Sequence, residues 1–351
     1  MILPQTYYGA LLLLLLTTFC WGSWANTLKL AGKWRYELYY YDFALGVLLA
    51  SIVCAFTFGS QPTADGLEFL DDIAHTGRRQ IFYTFVSGAI FNLGNMLLLA
   101  AISVAGLAVA LPAGLGTTLV VSVVVGFFVQ PKGNPVLLFA GVAIVVAAVV
   151  TDALAHMAHT QTKAEGDAKL GKTKPSKKKK ETGLKAIFLS VIGGAAMGSY
   201  FPLLDVAKAG DLGMGPYSLA LVFAAGVFSS TFVLNLFLMN LPVQGKAVEV
   251  FDYFKGRAKQ HLLGLAGGAV WFSGTMASLV VGSAAAKDAQ IGPALTLALG
   301  QAGTLIGALW GLLAWKEFQN TDIKVKTLII LMLILFVSGL GMIVIAPLYS
   351  R

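Results

Sequence analysis

The sequence predicts an all-α integral membrane protein, with ten transmembrane helices arranged as two inverted five-helix repeats. Three observations predict it: apolar runs of spanning length, the scarcity of charge within them, and a match between the two halves of the chain. Of 351 residues, 57% are hydrophobic and only 12% are charged, about half the charged share of an ordinary soluble domain. That balance excludes a soluble enzyme or binding module. Cys20 and Cys54 both sit in apolar runs and read as small reduced hydrophobes, which excludes a disulfide scaffold and leaves no metal site.

A hydrocarbon core about 30 Å thick takes on the order of 20 apolar residues per helix. Runs bounded by charge or by Pro and Gly cover 7–27, 43–58, 81–102, 107–128, 135–153, 184–205, 217–239, 262–284, 292–315 and 328–346. The first run has no basic residue before it and no small-residue cleavage site after it, so it reads as a retained helix rather than a leader. Pro112 and Pro293 lie near the starts of their spans and mark helix entry. The fifth and sixth spans are separated by a basic segment, 155–183, that holds or adjoins Lys163, Lys169, Lys172, Lys174, Lys177, Lys178, Lys179, Lys180 and Lys185. Without this segment the net charge of +8 falls to near neutral, so the basicity does not point to nucleic acid. The expected organisation is a first repeat over 1–153, a basic linker over 154–183 and a second repeat over 184–351.

Loops after odd-numbered spans carry Lys29, Lys33, Arg35, Lys246, Lys255, Arg257, Lys259, Lys316, Lys324 and Lys326. The other side carries Arg78, Arg79, Lys132, Lys208, Lys287 and Arg351. By the positive-inside rule the central loop is expected in the cytoplasm and both termini outside, in the plasma (inner) membrane.

The stretch 22–45 lies on 198–221 without a gap, pairing Gly22, Ser23, Leu28, Ala31, Tyr41, Ala44 and Leu45 with Gly198, Ser199, Leu204, Ala207, Tyr217, Ala220 and Leu221. A second match sets GAIFNLGNM at 88–96 against GAVWFSGTM at 268–276. Five spans per half is an odd number, so the second half enters from the opposite side. Inverted repeats of this kind are common in secondary transporters, with the substrate site near the midplane between the halves.

Polar groups at that depth need a partner or a function. Asn92 and Asn95 stand three apart in the third span, beside Gly88 and Gly94. An amide both donates and accepts, which suits a neutral ligand of alternating C=O and N–H groups; a hydrogen bond between helices is the other reading. Gln301 lies among Gly300, Gly303 and Gly307, which mark a closely packed or pore-facing wall. Trp21, Trp24, Tyr200 and Trp271 are candidates for stacking a flat ligand, against core packing as the alternative. Asp42 and Asp205, at helix ends, are candidates for a coupling proton if desolvated in a cavity, and otherwise solvated caps. Asp152 ends the fifth span, and His75 and His261 are expected in loops. His156 and His159 have no third ligand nearby, so no metal or other cofactor is expected.

The string GDAKLGKT, from Gly166 through Gly171, Lys172 and Thr173, fits the phosphate-loop pattern. It works when a strand feeds the loop. Here it follows a membrane helix and precedes a lysine run, so a solvated loop touching anionic lipid is the expected role.

These segments resemble the ureide permease family of the drug/metabolite transporter superfamily. GSWANTLKL is similar to that family's opening helix, Tyr41 and Asp42 resemble its Tyr-x-Asp-Tyr segment, and SGAIFNLGNM with GLAVALPAG resembles its third and fourth helices, including the Asn95 position. GQAGTLIGALWGLLAWKEF resembles its Gln-containing ninth helix. Members also carry a phosphate-loop-like string in a basic cytosolic loop. The resemblance implies the drug/metabolite transporter fold and proton-coupled uptake of allantoin-like ureides, uracil or related oxo-heterocycles, with no enzymatic activity. It departs in the shorter central loop, in Leu111 where the family carries an acid, and in Lys316 where a Gly precedes Glu317. The competing expectations are a sugar or drug transporter of the same superfamily and an ATP-regulated membrane protein using GDAKLGKT. The expected partners are a small-molecule substrate, a coupling proton and the bilayer.

Overall fold

A computed structural model describes the chain apart from residues 63–66, 130, 132, 170–176, 244, 285, 292, 320, 350 and 351, with backbone only at 163–169, 177–183, 293, 294 and 297. The first span is α1 (Tyr7–Ser23) continued, after a break, by α2 (Asn26–Leu30); α3 (Tyr36–Phe56) is the second. A short α4 (Phe69–His75) leads into α5 (Arg78–Ala105), and α6 (Leu107–Val129) and α7 (Pro135–Lys169) complete the half. In the second half α8 (Lys177–Ser199) is continued by α9 (Phe201–Lys208), followed by α10 (Pro216–Asn240), α11 (Ala258–Gly282), α12 (Pro293–Leu309) and α13 (Ile323–Ile345). Among the described residues nine helices are long and apolar enough to span a bilayer, and a shorter apolar one, Ala298–Ala314, accompanies them. Among the described residues there is no strand.

Loops sort to two ends. At one end Lys29 pairs with Glu317 at 2.6 Å, Arg35 donates to the Lys246 carbonyl and Lys185 to the Val243 carbonyl. At the other, Asp72 accepts from the Gly215 amide, Tyr217 donates to the Ile2 carbonyl and the Asn134 amide to the Ala346 carbonyl. This is the sorting that ten spans demand.

The helix pairs are matched across the halves. α3 packs on α11 as α10 packs on α5, α1 on α11 as α8 on α5, and α1 on α12 as α8 on α6. The register of this symmetry is written in four glycines. A Cβ on Gly46 would strike the Leu265 carbonyl and one on Gly226 the Phe85 carbonyl; one on Gly268 would strike Phe43 and one on Gly88 would strike Phe223. Every member of these pairs stands 180 positions from its counterpart. The ungapped match of 22–45 on 198–221 therefore holds through α1 and slips by one helical turn at α3. Phe43, Ala44, Gly46 and Val47 correspond to Phe223, Ala224, Gly226 and Val227, so the earlier pairing of Tyr41, Ala44 and Leu45 with Tyr217, Ala220 and Leu221 is corrected. The cause is the connector: from Ser23 to Tyr36 it is four residues shorter than from Ser199 to Pro216.

Two further expectations change. The segment 155–183 is helical at both ends, with α7 running to Lys169 and α8 starting at Lys177, because 154–169 is rich in Ala, Gln, Lys and Glu, which favour helix once the apolar run ends. His75 and His261 lie in α4 and α11 rather than in loops.

The turn between α5 and α6 is one residue, Gly106, at φ 90°. The amides of Leu107 and Ala108, which have no intrahelical acceptor, donate to the Glu317 carboxylate at 2.9 and 2.8 Å. A negative group at a helix N-terminus is also favoured by the helix dipole. To aim Glu317 there, α12 ends in a π turn over Trp310–Ala314 and Lys316 adopts φ 50°, the one positive φ outside glycine among the described residues. This backbone gives the reason for a glycine before the acid.

Candidate functional site

Both halves break their first helix at the same place. α1 stops at Ser23, and the carbonyls freed around Trp24 are taken by side chains: Asn26 donates to Ser23 O at 2.9 Å and Thr27 to Trp24 O at 2.7 Å. α8 stops at Ser199, and Pro202, with no N–H to give, follows Tyr200. Discontinuous helices of this kind line the midplane sites of many transporters.

Trp24 and Tyr200, at the two breaks, face one narrow cavity of about 50 Å³, on the scale of a few water molecules. Along and behind it runs an aromatic chain that repeats itself across the halves. Phe91 and Trp271, repeat counterparts, stack at 4.4 Å and 25°. Trp24 packs on Phe43 at 5.0 Å and Tyr200 on Phe223 at 5.5 Å. The remaining wall includes Asn95, Gln301 and Thr304, with Trp21, Leu98 and Gly300 among the residues around them.

The polar wall is under-satisfied. Asn95 is fully buried; its Nδ2 donates to the Tyr40 hydroxyl at 3.0 Å while its Oδ1 has no partner. Thr304 Oγ1, 2% exposed, has none either. Gln301 makes no hydrogen bond among the described residues. Leaving a buried polar group unpaired costs roughly 1–3 kcal/mol, a cost that a ligand with both donors and acceptors removes. Aromatic faces with amide groups between them suit a flat, neutral, amide-rich molecule.

Of the residues singled out in the sequence, Trp24, Asn95, Tyr200, Trp271 and Gln301 come together here. Asn92 does not line the cavity. Its Nδ2 donates to Ser230 Oγ at 2.9 Å and Thr231 Oγ1 at 3.1 Å, so this amide ties α5 to α10. Three residues on a helix differ by about 60° in direction, enough to separate the two asparagines. Asp205 is exposed on α9, 3.9 Å from Lys208, away from the cavity. Gly166 lies within α7, so a helix and not a strand leads into the phosphate-loop-like string; Gly171, Lys172 and Thr173 lie outside the described residues.

Asp42 is 2% exposed and two turns inside α3. It accepts from the Tyr253 hydroxyl at 2.5 Å, and its Oδ2 lies 2.8 Å from His261 Nδ1. Gly264 lets α3 in this close, since a Cβ there would strike Asp42. Burial and the adjacent Asp42 carboxylate push the Tyr253 phenol above its ordinary pKa. Sequence patterns did not reveal this cluster, because Asp42 stands more than 200 positions from both Tyr253 and His261. Asp152, expected at the end of the fifth span, is instead 1% exposed within α7, and its Oδ2 has no partner. α7 runs on past it, which removes the water boundary.

A family model described as ureide permease matches residues 39–192, the stretch holding Tyr40, Asp42 and Asn95. Ureide permease 2 of Arabidopsis thaliana is 24% identical over 97% of this chain and 98% of that protein. Ureide permease 1 of the same plant is 24% identical over 95% of each. A protein of known crystal structure superposes with a TM-score of 0.51 at 14% identity, covering 96% of both chains, a likeness of fold.

Proposed function

Taking this chain's kinship with the ureide permeases as the premise, we propose that it is a secondary transporter, not an enzyme, which moves a small neutral oxo-heterocycle across the plasma membrane. A ureide such as allantoin or a uracil-like nucleobase is the substrate class. One observation carries the reading: unpartnered Asn95 Oδ1 and Thr304 Oγ1, with Gln301, stand between aromatic faces at the meeting of two broken helices. The ring stacks on Trp24, Tyr200 or Trp271, and its carbonyls and N–H groups are read by the amides.

The cavity is narrow, so substrate entry requires its walls to part. Their matched packing supports alternating access by rocking of the two halves. The coupling ion is a proton on Asp42. Facing that carboxylate are Tyr253 and His261, with Tyr39, hydrogen-bonded to Thr27, beside it. Of α3 and α11, the helices this cluster joins, α11 carries Trp271 of the cavity lining and α3 carries Phe43, which packs behind Trp24 and Trp271. A proton that loosens the Asp42–His261 contact therefore acts on the binding site's own wall. The end bearing Lys29, Arg35 and Lys185 faces the cytoplasm.

The test is thermal stabilisation of the purified protein by allantoin, uracil, xanthine, glucose and cationic dyes. A ligand stabilises in proportion to ln(1 + [L]/Kd). Selective stabilisation by an oxo-heterocycle supports the reading; a response confined to glucose or to the dyes transfers the site to another branch of the superfamily.

A further inference from the structure

The connector from α10 to α11 folds into a short 3₁₀ helix, Val250–Lys255, at the end that bears Lys29. Three residues make one turn of such a helix, so positions three apart share a face. Its six residues sort by chemistry onto three faces. Asp252 and Lys255 form one and pair at 2.6 Å. Val250 and Tyr253 form the second, where the Tyr253 hydroxyl holds Asp42 and its ring meets His261 at 4.6 Å and Tyr41 at 5.9 Å. Phe251 and Phe254 form the third, and they are 75% and 76% exposed.

The depth of this turn says what covers the two phenyl rings. Asp42 stands six residues along α3 from its start, about 9 Å at 1.5 Å per residue. The turn that reaches it therefore lies against the flank of a spanning helix rather than beyond its end. Interfacial segments seat an apolar face about 5–10 Å into the boundary of headgroups and acyl chains, which is the same depth. An aromatic row joins the turn to the outer surface of the spans: Phe254 meets Tyr253 at 5.5 Å, and Tyr41 meets the half-exposed Phe232, well inside α10, at 6.0 Å. Around it Lys246, Lys255, Arg257 and Lys259 are exposed. Cations at this height complement anionic headgroups, and aromatic side chains gather at the same level.

We propose that Val250–Lys255 is an interfacial anchor, which seats Phe251 and Phe254 in the acyl boundary of the leaflet on the Lys29 side and thereby holds the Tyr253 hydroxyl on Asp42. Headgroup phosphates meet Lys246, Arg257 and Lys259. Because the lipid face and the Asp42 face belong to one short helix, a turn that leaves the lipid carries Tyr253 with it. The consequence for transport rests on the reading of Asp42 as the coupling acid; the anchor itself does not.

The test uses the full-length protein with Cys20→Ala and Cys54→Ala in vesicles of phosphatidylcholine and phosphatidylglycerol. A nitroxide on Phe254→Cys is expected to collide more with molecular oxygen, which concentrates in lipid, than with a water-soluble nickel chelate. On Lys255→Cys, one face away, the order is expected to reverse. Phe251→Ser with Phe254→Ser is expected to raise amide hydrogen exchange over 250–257 several-fold, with the spanning helices unchanged, whereas Phe251→Leu with Phe254→Leu keeps the protection. The serine pair is also expected to lower accumulation driven by a pH gradient several-fold while exchange of labelled substrate continues. Greater chelate than oxygen access at Phe254→Cys overturns the anchor, as does shielding from both, which would mean that protein covers the rings. Equal amide exchange in the serine and leucine pairs overturns it too. If the anchor passes these tests and accumulation still survives in the serine pair, the coupling role given to the Tyr253–Asp42 contact falls instead.

Discussion

The two halves of this protein share a frame and differ in chemistry. At matching positions α3 and α10 press a glycine against the carbonyl of a facing helix, and α5 and α11 do the same in return. Phe43, Phe91 and Trp24 in one half answer Phe223, Trp271 and Tyr200 in the other. The polar groups follow no such rule. At the counterpart of Asp42 stands Val222, and at that of His261 stands Ile81. Asn95, which donates to Tyr40, is answered by Thr275, which accepts from Trp21 at 3.2 Å. Symmetry thus builds the cavity and the helix breaks beside it, while the acid that is proposed to carry the proton has no counterpart in the other half.

This comparison can be broken at the frame first. Gly88→Val and Gly268→Val each force a side chain into a backbone carbonyl, and overpacking of this kind costs about 3 kcal/mol. The two variants are expected to lose folded protein to a similar degree, measured as melting temperature in detergent. A large loss in one and none in the other would show that the halves do not share a frame.

The polar wall comes next. Asn95→Ala and Gln301→Ala are expected to weaken substrate binding roughly 2-fold to 100-fold, from the loss of about 0.5–1.5 kcal/mol or more per hydrogen bond. Asn92→Ala, which unties Ser230 and Thr231 from α5, should instead lower the melting temperature and leave affinity unchanged. Affinity and melting read on the same preparations separate the two asparagines. Equal behaviour of Asn92 and Asn95 would erase the distinction drawn between cavity and helix contact.

The smallest effect concerns a turn found in one half. Lys316 holds a left-handed conformation that costs an L-residue roughly 1–2 kcal/mol. Lys316→Gly is expected to stabilise the protein by about 1 kcal/mol without altering substrate affinity, as read by thermal unfolding. Destabilisation would mean that the Lys316 side chain holds something the backbone argument omits.

The spans were legible because a bilayer sets their length, and the Gly-Ser-aromatic step at Trp24 and Tyr200 was legible as a repeat, whereas the helix breaks there were not, since both spans read as continuous apolar runs. Five of the six residues proposed to bind substrate meet at one cavity, where the two halves of the repeat come together. Asn92 was misplaced because spacing on a helix gives direction only relative to neighbours not yet known. The repeat register after α2 was hidden by a four-residue difference in a connector, where length changes cost little. The Asp42–His261–Tyr253 cluster was invisible because nothing local to any of the three marks the other two. Asp152 lies inside α7 rather than at a span's end because the helix continues through a stretch whose composition favours helix but not membrane.

The central claim is that the symmetric cavity binds while the unsymmetric acid couples, and proteoliposomes separate these functions. With Asp42→Asn, exchange of labelled for unlabelled substrate at equal pH is expected to continue near the wild-type rate, while accumulation driven by an imposed pH gradient falls to background. Adding Val222→Asp should not restore accumulation, because Ile81 stands where His261 would be needed. Gradient-driven accumulation that survives Asp42→Asn, or exchange that disappears along with it, would contradict the account.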